Sequence, residues 1–76
     1  IAGLQVYPNP VSNGVLYINT NLNSSKSVQI FDLLGKQVLT TSTDTNTVNV
    51  STLTRGMYIV KITEEGKTAT RKIVVE

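Results

Sequence analysis

Apolar and polar residues alternate with a period of two along nearly the whole chain, and no segment carries the apolar stripe of a helix. The alternating positions are rich in Thr, Val and Ile, whose β-branched side chains favour strands. Turn residues recur about every eight to twelve positions, which is the spacing typical of a β-sandwich or a β-barrel. The pattern therefore predicts an all-β fold.

Clusters of Gly, Pro, Asn, Asp and Ser divide the chain into seven predicted strands. They cover residues 4–7, 15–19, 28–32, 37–43, 47–50, 57–63 and 68–75. Side chains along a strand point alternately to opposite faces. In the sixth strand this alternation places Tyr58, Val60 and Ile62 in the core and leaves Lys61 in solvent.

Three connections between the predicted strands have interpretable turn chemistry. Residues 33–35 and 64–66 each form a three-residue loop that ends in Gly, which adopts a left-handed backbone without a Cβ clash. Both loops therefore predict antiparallel hairpins. The pattern of residues 51–56, with one apolar residue between polar neighbours and a glycine before the next strand, predicts a wide turn. This turn places Leu53 in the core and Gly56 at a bulge or a positive φ.

The sequence YPNP, residues 7–10, sets the end of the first strand. A proline has no N–H for a sheet, so the strand must end at Tyr7. The residue before each proline is restricted to extended backbone. The segment is therefore either a stiff crossover to the other sheet or a simple turn.

The composition removes most kinds of enzyme chemistry. The chain has no Cys and no His, so it lacks disulfides, thiol chemistry, the usual general base and the commonest metal ligand. The acidic residues are scattered, and we interpret Glu64 and Glu65 as a solvated turn rather than as a paired acid and base. Asn9 and Asn13 lack the spaced carboxylates of a calcium loop. We predict a domain that is not an enzyme and binds no cofactor or metal.

Charge and hydropathy also limit the partners. The net charge is only +2, and no basic stripe is interleaved with aromatic residues, so we predict no nucleic-acid partner. No apolar run approaches the roughly 20 residues that cross a bilayer, so we predict no transmembrane segment. Because the chain begins with Ile rather than Met, we expect it to be a piece of a longer protein.

Four motifs give the chain a family resemblance. In order, they read VYPNP, VQIFDLLGKQV, VNVSTLTRGMYIVKI and KTATRKIVV. In this order and spacing the chain resembles the type A C-terminal sorting domain of the type IX secretion system, also called the Por secretion C-terminal domain. The resemblance covers essentially all 76 residues. It implies one domain over residues 1–76, folded as an immunoglobulin-like β-sandwich of about seven antiparallel strands.

The resemblance also implies a secretion function and its partners. The cargo lies N-terminal to the domain in the same chain and reaches the periplasm of a Gram-negative bacterium by a separate signal. The outer-membrane translocon then recognises the domain. A sortase-like cysteine protease removes it, at or before Ile1, at the cell surface. The cargo is then released to the extracellular space or attached to anionic lipopolysaccharide.

The sorting-signal residues implied by the resemblance fall in three segments. They are Pro8, Asn9, Pro10, Gly56, Tyr58, Lys72, Ile73, Val74 and Val75. Many family members end in a basic residue, whereas this chain ends in Glu76.

Residues 73–75 are apolar on both faces of the last predicted strand. Such a C-terminal strand could detach and pair with a translocon component or with a second copy of the chain. It could equally be a buried strand of the sheet.

Two other functions remain open from the sequence. One is a carbohydrate-binding or adhesive accessory module of a secreted enzyme, and the other is a passive fibronectin-like spacer. A secretion address must lie at the extreme C-terminus of its gene and be absent from the mature surface protein. A module or a spacer stays attached.

Overall fold

The computed structural model describes all 76 residues and contains seven strands and no helix. The strands are β1 (Gln5–Tyr7), β2 (Val15–Asn19), β3 (Lys26–Phe31), β4 (Gln37–Thr43), β5 (Thr47–Asn49), β6 (Gly56–Glu64) and β7 (Lys67–Val75). The predicted bounds of the second and fourth strands are confirmed, and the others differ by one or two residues at their ends. No helix long and apolar enough to cross a membrane is present.

The strands form two antiparallel sheets, which confirms the predicted β-sandwich. One sheet has the order β1-β2-β5 and the other has the order β4-β3-β6-β7. Both predicted hairpins are antiparallel pairs, β3 with β4 and β6 with β7. As a result β7 is an edge strand of the four-stranded sheet, with β6 on one side only.

The core lies between the two sheets and consists of alternate residues from five of the strands, together with residues of the connecting loops. It comprises Val11, Leu16, Ile18, Val28, Ile30, Val48, Val50, Tyr58, Val60, Ile62, Ile73 and Val75. Lys61 is exposed between two of these core positions, as the alternation in β6 predicts.

The β3–β4 loop and the wide turn before β6 form as predicted. Gly35 has a φ of 88°, and its N–H donates to the carbonyl of Asp32 over 3.1 Å. Leu53 is half-buried and packs against the core. Gly56, the first residue of β6, has a φ of 156°, a backbone conformation that favours glycine.

The β6–β7 loop is shorter than predicted. Glu64 is still within β6 and lies opposite Lys67, so the loop consists of Glu65 and Gly66 alone. Their φ values, 51° and 75°, are both positive, as in the type I′ turn of two-residue hairpins. The prediction of a three-residue loop is wrong because Glu64 continues the ladder.

The YPNP segment does not connect the two sheets. β1 ends at Tyr7 as predicted, but β1 and β2 are antiparallel neighbours in the same sheet. The Tyr7–Pro8 and Asn9–Pro10 peptide bonds are both cis. After the second proline, Val11 forms an isolated parallel bridge with Val75 of β7. The loop therefore reaches across to the other sheet and returns.

Candidate functional site

The three segments predicted to carry the sorting signal meet at one end of the four-stranded sheet. Gly56 of β6 lies opposite Val75 of β7, and Tyr58 lies opposite Ile73. The YPNP segment lies against the free edge of β7, where Asn9 contacts residues 63 and 65 positions away in the sequence. We call this set the signal cluster: Pro8, Asn9, Pro10, Gly56, Tyr58, Lys72, Ile73, Val74 and Val75.

Asn9 and Val11 close the C-terminal half of the β7 edge. The Asn9 Nδ2 group donates to the carbonyl of Lys72 over 3.2 Å, and the N–H of Val74 donates to Asn9 Oδ1 over 3.0 Å. The N–H of Val11 donates to the carbonyl of Val74 over 2.7 Å, and the N–H of Glu76 donates to the carbonyl of Val11 over 2.8 Å. A primary amide offers both a donor and an acceptor, so the Asn9 side chain stands in for a peptide group of a neighbouring strand. We call these four bonds the Asn9–Val11 clasp.

The N-terminal half of the β7 edge has no neighbour. No strand lies beyond β7, and its one bridge to another segment is at Val75. Thr68 and Thr70 are exposed along this half, and the carbonyl of Thr70 accepts a hydrogen bond from Arg71 Nη1 over 2.7 Å. An open edge of this kind can pair with a strand of another protein.

The last strand has one buried face and one accessible face. Ile73 and Val75 are only 1% and 5% exposed, so they belong to the core. Lys72 is exposed and Val74 is half-buried on the opposite, outer face of the sheet. The accessible side chains of this half of the strand are therefore Lys72 and Val74, whereas Ile73 and Val75 stabilise the fold.

Tyr58 fixes the wide turn that precedes β6. Its side chain is 6% exposed, and its hydroxyl donates to the carbonyl of Thr54 over 2.6 Å. A tyrosine near the start of a strand that bonds the backbone a few residues upstream is the tyrosine corner of immunoglobulin-type sandwiches. The bond holds the turn in place and so sets the position at which Gly56 enters β6. The buried Tyr58 side chain therefore supports the fold at this end of the sheet.

A buried ion pair lies at the far end of the same sheet. Lys26 of β3 lies directly opposite Glu64 of β6, with Nζ and Oε2 3.4 Å apart and side chains 0% and 2% exposed. The interpretation of Glu64 as a solvated turn residue is therefore wrong. Because Glu64 has the same phase as the core residues of β6, it points inward.

Hydrogen bonds satisfy both charged groups. Glu64 Oε2 accepts from Thr20 Oγ1 over 2.7 Å and from the N–H of Ser24 over 3.1 Å. Lys26 Nζ donates to the carbonyl of Ser24 over 2.9 Å and to Asn46 Oδ1 over 2.6 Å. Burial raises the pKa of the Glu64 carboxyl, but the bonds from Thr20, Lys26 and Ser24 and the charge of Lys26 outweigh it. The pKa lies below the ordinary value of 4.5.

The aromatic residues outside the core do not form a flat platform. Tyr7 and Tyr17 stack on each other on the outer face of the three-stranded sheet, with ring centroids 5.4 Å apart and planes 14° apart. Asn19 Nδ2 donates to the hydroxyl of Tyr7 over 2.7 Å. Each ring covers a face of the other, an arrangement typical of cross-strand aromatic pairs.

The acidic residues do not gather into a metal site. No group of three or more carboxylates is close enough to hold a metal ion. The amide of Asn9 bonds to the β7 backbone.

The clasp gives a first prediction. We expect Asn9→Ala to lower the free energy of unfolding by roughly 1–2 kcal/mol, because it removes two hydrogen bonds to the β7 edge. Urea unfolding followed by circular dichroism measures the change. Asn13→Ala is the matched control, since Asn13 is exposed in the same loop. Equal urea midpoints for the two variants would show that the clasp does not stabilise the domain.

Comparison with known proteins connects this geometry to a family. The family model described as "Secretion system C-terminal sorting domain" matches residues 5–76. The chain is also similar to ulvan lyase NLR42 of Nonlabens ulvanivorans, with 34% identity over 79 aligned residues. That alignment covers 99% of this chain and 15% of the lyase, so this chain spans a small part of its relative's length.

Proposed function

Because the chain belongs to the family of secretion system C-terminal sorting domains, we propose that the signal cluster is the part of the domain that the export machinery recognises. The domain is a type IX secretion signal, and it directs its protein to the outer membrane or the extracellular space. A sorting domain of this kind performs no catalysis itself.

The observation that carries the proposal is the meeting of three distant segments at the end of β7. The YPNP segment, the start of β6 and the last strand form one continuous surface there. Its accessible groups are Asn9, Pro10 and Lys72, with Val74 half-buried beside them. A partner that contacts this surface meets the YPNP segment and the last strand at once, which a linear motif of the same length would not allow, while the start of β6 supports the surface from within the sheet.

The open half of β7 offers a second contact. An extended segment of a translocon protein could add itself as a strand beside residues 67–71, with main-chain hydrogen bonds giving affinity. A second copy of the chain could pair there in the same way. The clasp leaves this half accessible while it holds the C-terminal half on the domain, so recognition does not require β7 to detach.

We also propose how the domain is used in its full-length protein. It lies at the end of a larger secreted protein and passes through the periplasm of a Gram-negative bacterium together with its N-terminal cargo. A sortase-like cysteine protease cuts the chain at or before Ile1, and the cargo is released or joined to anionic lipopolysaccharide. The named relative is a lyase, so a secreted enzyme is the class of cargo that we propose. The protein as a whole then acts through its cargo, and this domain is not an enzyme.

The experiment is a transfer of the signal to a reporter. Residues 1–76 are fused behind a periplasm-directed fluorescent protein in a bacterium with a type IX system. We expect the reporter to reach the cell surface or the medium, and the 76-residue segment to be cut from it. The same reporter without the domain, and the fusion in a strain that lacks the translocon, should both stay in the periplasm.

Failure of the domain to export the reporter would favour an accessory module or a spacer. If the intact, folded domain leaves the reporter in the periplasm, the sorting function falls. An accessory module or a spacer that remains attached to its protein then takes its place.

A further inference from the structure

The β3–β4 turn holds two leucines out in water. Leu33 is 63% exposed and Leu34 is 96% exposed. The turn is well fixed, because Asp32 Oδ1 accepts hydrogen bonds from the N–H groups of Leu34 and Lys36, both over 2.9 Å. Turn positions such as these normally carry Gly, Pro, Asn, Asp or Ser. Neither the core nor the turn requires leucine here, so the fold does not explain their presence.

The leucines extend an apolar area of the same sheet. On its outer face Phe31 lies opposite Ile59, and Met57 lies opposite Val74. Met57 is 41% exposed, and the other three are half-buried. Four of the seven large exposed apolar residues of the chain, namely Leu33, Leu34, Val38 and Met57, lie at this end of the sheet. We call Phe31, Leu33, Leu34, Met57, Ile59 and Val74 the apolar end.

Basic residues outnumber acidic ones around the apolar end, where the exposed Glu76 follows Val75 at the end of the last strand. Lys36 follows the turn, and Lys61 and Lys72 lie on the outer face of the sheet. The paired residues of that face include no carboxylate. The carboxylate of Asp32 at the turn already accepts two backbone N–H groups. A complementary surface therefore combines apolar groups with Asp or Glu side chains.

We propose that the apolar end is a docking surface for a protein of the export machinery that presents an apolar pocket bordered by carboxylates. Leu33 and Leu34 fill the pocket, and Lys36, Lys61 and Lys72 face its acidic border. This inference rests on the proposed function. It adds a contact separate from the open half of β7, and the apolar end shares Val74 with the signal cluster. A membrane surface fits less well, because recognition of anionic lipids uses clusters of about four to eight basic residues, and only three lysines lie around the apolar end.

Paired serine substitutions test the surface. In the reporter fusion, Leu33→Ser with Leu34→Ser should lower export about tenfold, as expected for two apolar anchors of an interface. Leu22→Ser is the control, because Leu22 is 68% exposed and lies in the β2–β3 loop near Glu64 and Glu65, at the opposite end of the domain, and it should be exported like the parent. Urea midpoints of all three proteins should agree, since the substituted side chains are exposed.

The outcomes separate this proposal from the secretion function. Export of the parent together with equal export of the double serine variant overturns the docking surface and leaves the secretion function intact. Failure of the parent itself to be exported overturns both.

A photo-crosslinking amino acid at position 34 identifies the occupant, with position 22 as the control. A crosslink from position 34 alone to a protein, weakened by Lys36→Glu with Lys61→Glu, supports the proposal. A crosslink to lipid, no crosslink, or equal crosslinking from both positions overturns it.

Cosedimentation with phosphatidylglycerol-containing vesicles tests for a membrane as the occupant. Binding that the double serine variant loses would identify a membrane and overturn the proposal, whereas no binding by the parent supports a protein partner.

Discussion

Replacing Lys26 by Met is expected to lower the free energy of unfolding by about 3–5 kcal/mol. The substitution leaves the Glu64 carboxylate buried without its cationic partner, 3.4 Å away in the parent. A loss of this size approaches the whole stability of a small domain, at roughly 0.05–0.15 kcal/mol per residue. Urea unfolding followed by circular dichroism at neutral pH measures it.

The matched control replaces both partners. Lys26→Met with Glu64→Met removes both charges and keeps similar side-chain volume, and such replacements of buried ion pairs are often neutral or stabilising. We expect the double variant to recover most of the loss. If the double variant is as unstable as the single variant, the lost stability comes from the hydrogen bonds to Thr20, Ser24 and Asn46 rather than from an unpaired charge.

The pH dependence of stability gives an independent measure of the same pair. The pKa of Glu64 is lower in the folded domain than its ordinary value of 4.5, so the folded state binds the proton less readily than the unfolded chain does. Its contribution is therefore full above about pH 4.5 and is lost as the pH falls through the folded pKa. The double variant should show a flatter dependence below pH 4.5 than the parent.

The alternation along the strands was sufficient to predict most of the core. Thr, Val and Ile in period two fix both the strand type and the inward face, so Tyr58, Val60 and Ile62 are buried as predicted. The same alternation, extended by two residues to position 64, places Glu64 inward with them. Two glutamates before a glycine are instead typical of a solvated turn, which is why the prediction for Glu64 is wrong. A charged residue in phase with a buried strand is a signal for a buried partner, and Lys26 stands in the same phase with Val28 and Ile30.

The clasp could not be predicted from local sequence. Asn9 and its partners on β7 are 63 and 65 positions apart, and nothing in the YPNP segment identifies the strand that it covers. The prolines explained why β1 ends at Tyr7, and the contact itself depends on how the two sheets stack. The sequence motifs thus named the residues of the signal cluster, whereas their common location appears only in the folded chain.

Substitutions of two neighbouring basic residues of β7 can distinguish an effect on export from an effect on the stability of the fold. Lys72 is exposed on the outer face beside Val74, whereas Arg71 lies opposite Val60 and so points to the inner side of the sheet at its margin. Neither side chain takes part in an ion pair, since the pair in this domain is Lys26 with Glu64. Reversing either charge changes the net charge by the same amount, and both side chains are exposed.

In the reporter fusion, Lys72→Glu is therefore expected to lower export about tenfold, because a reversed charge at a recognition surface repels the group that reads it. Arg71→Glu should be exported like the parent, because strand addition beside residues 67–71 uses main-chain hydrogen bonds rather than the Arg71 side chain. Circular dichroism and urea midpoints should be the same for both variants and the parent, within about 0.5 kcal/mol for exposed positions. Equal export of the two folded variants would show that Lys72 is not read by the machinery. A loss shared by both would mean that export responds to the net charge of the strand rather than to one face of it.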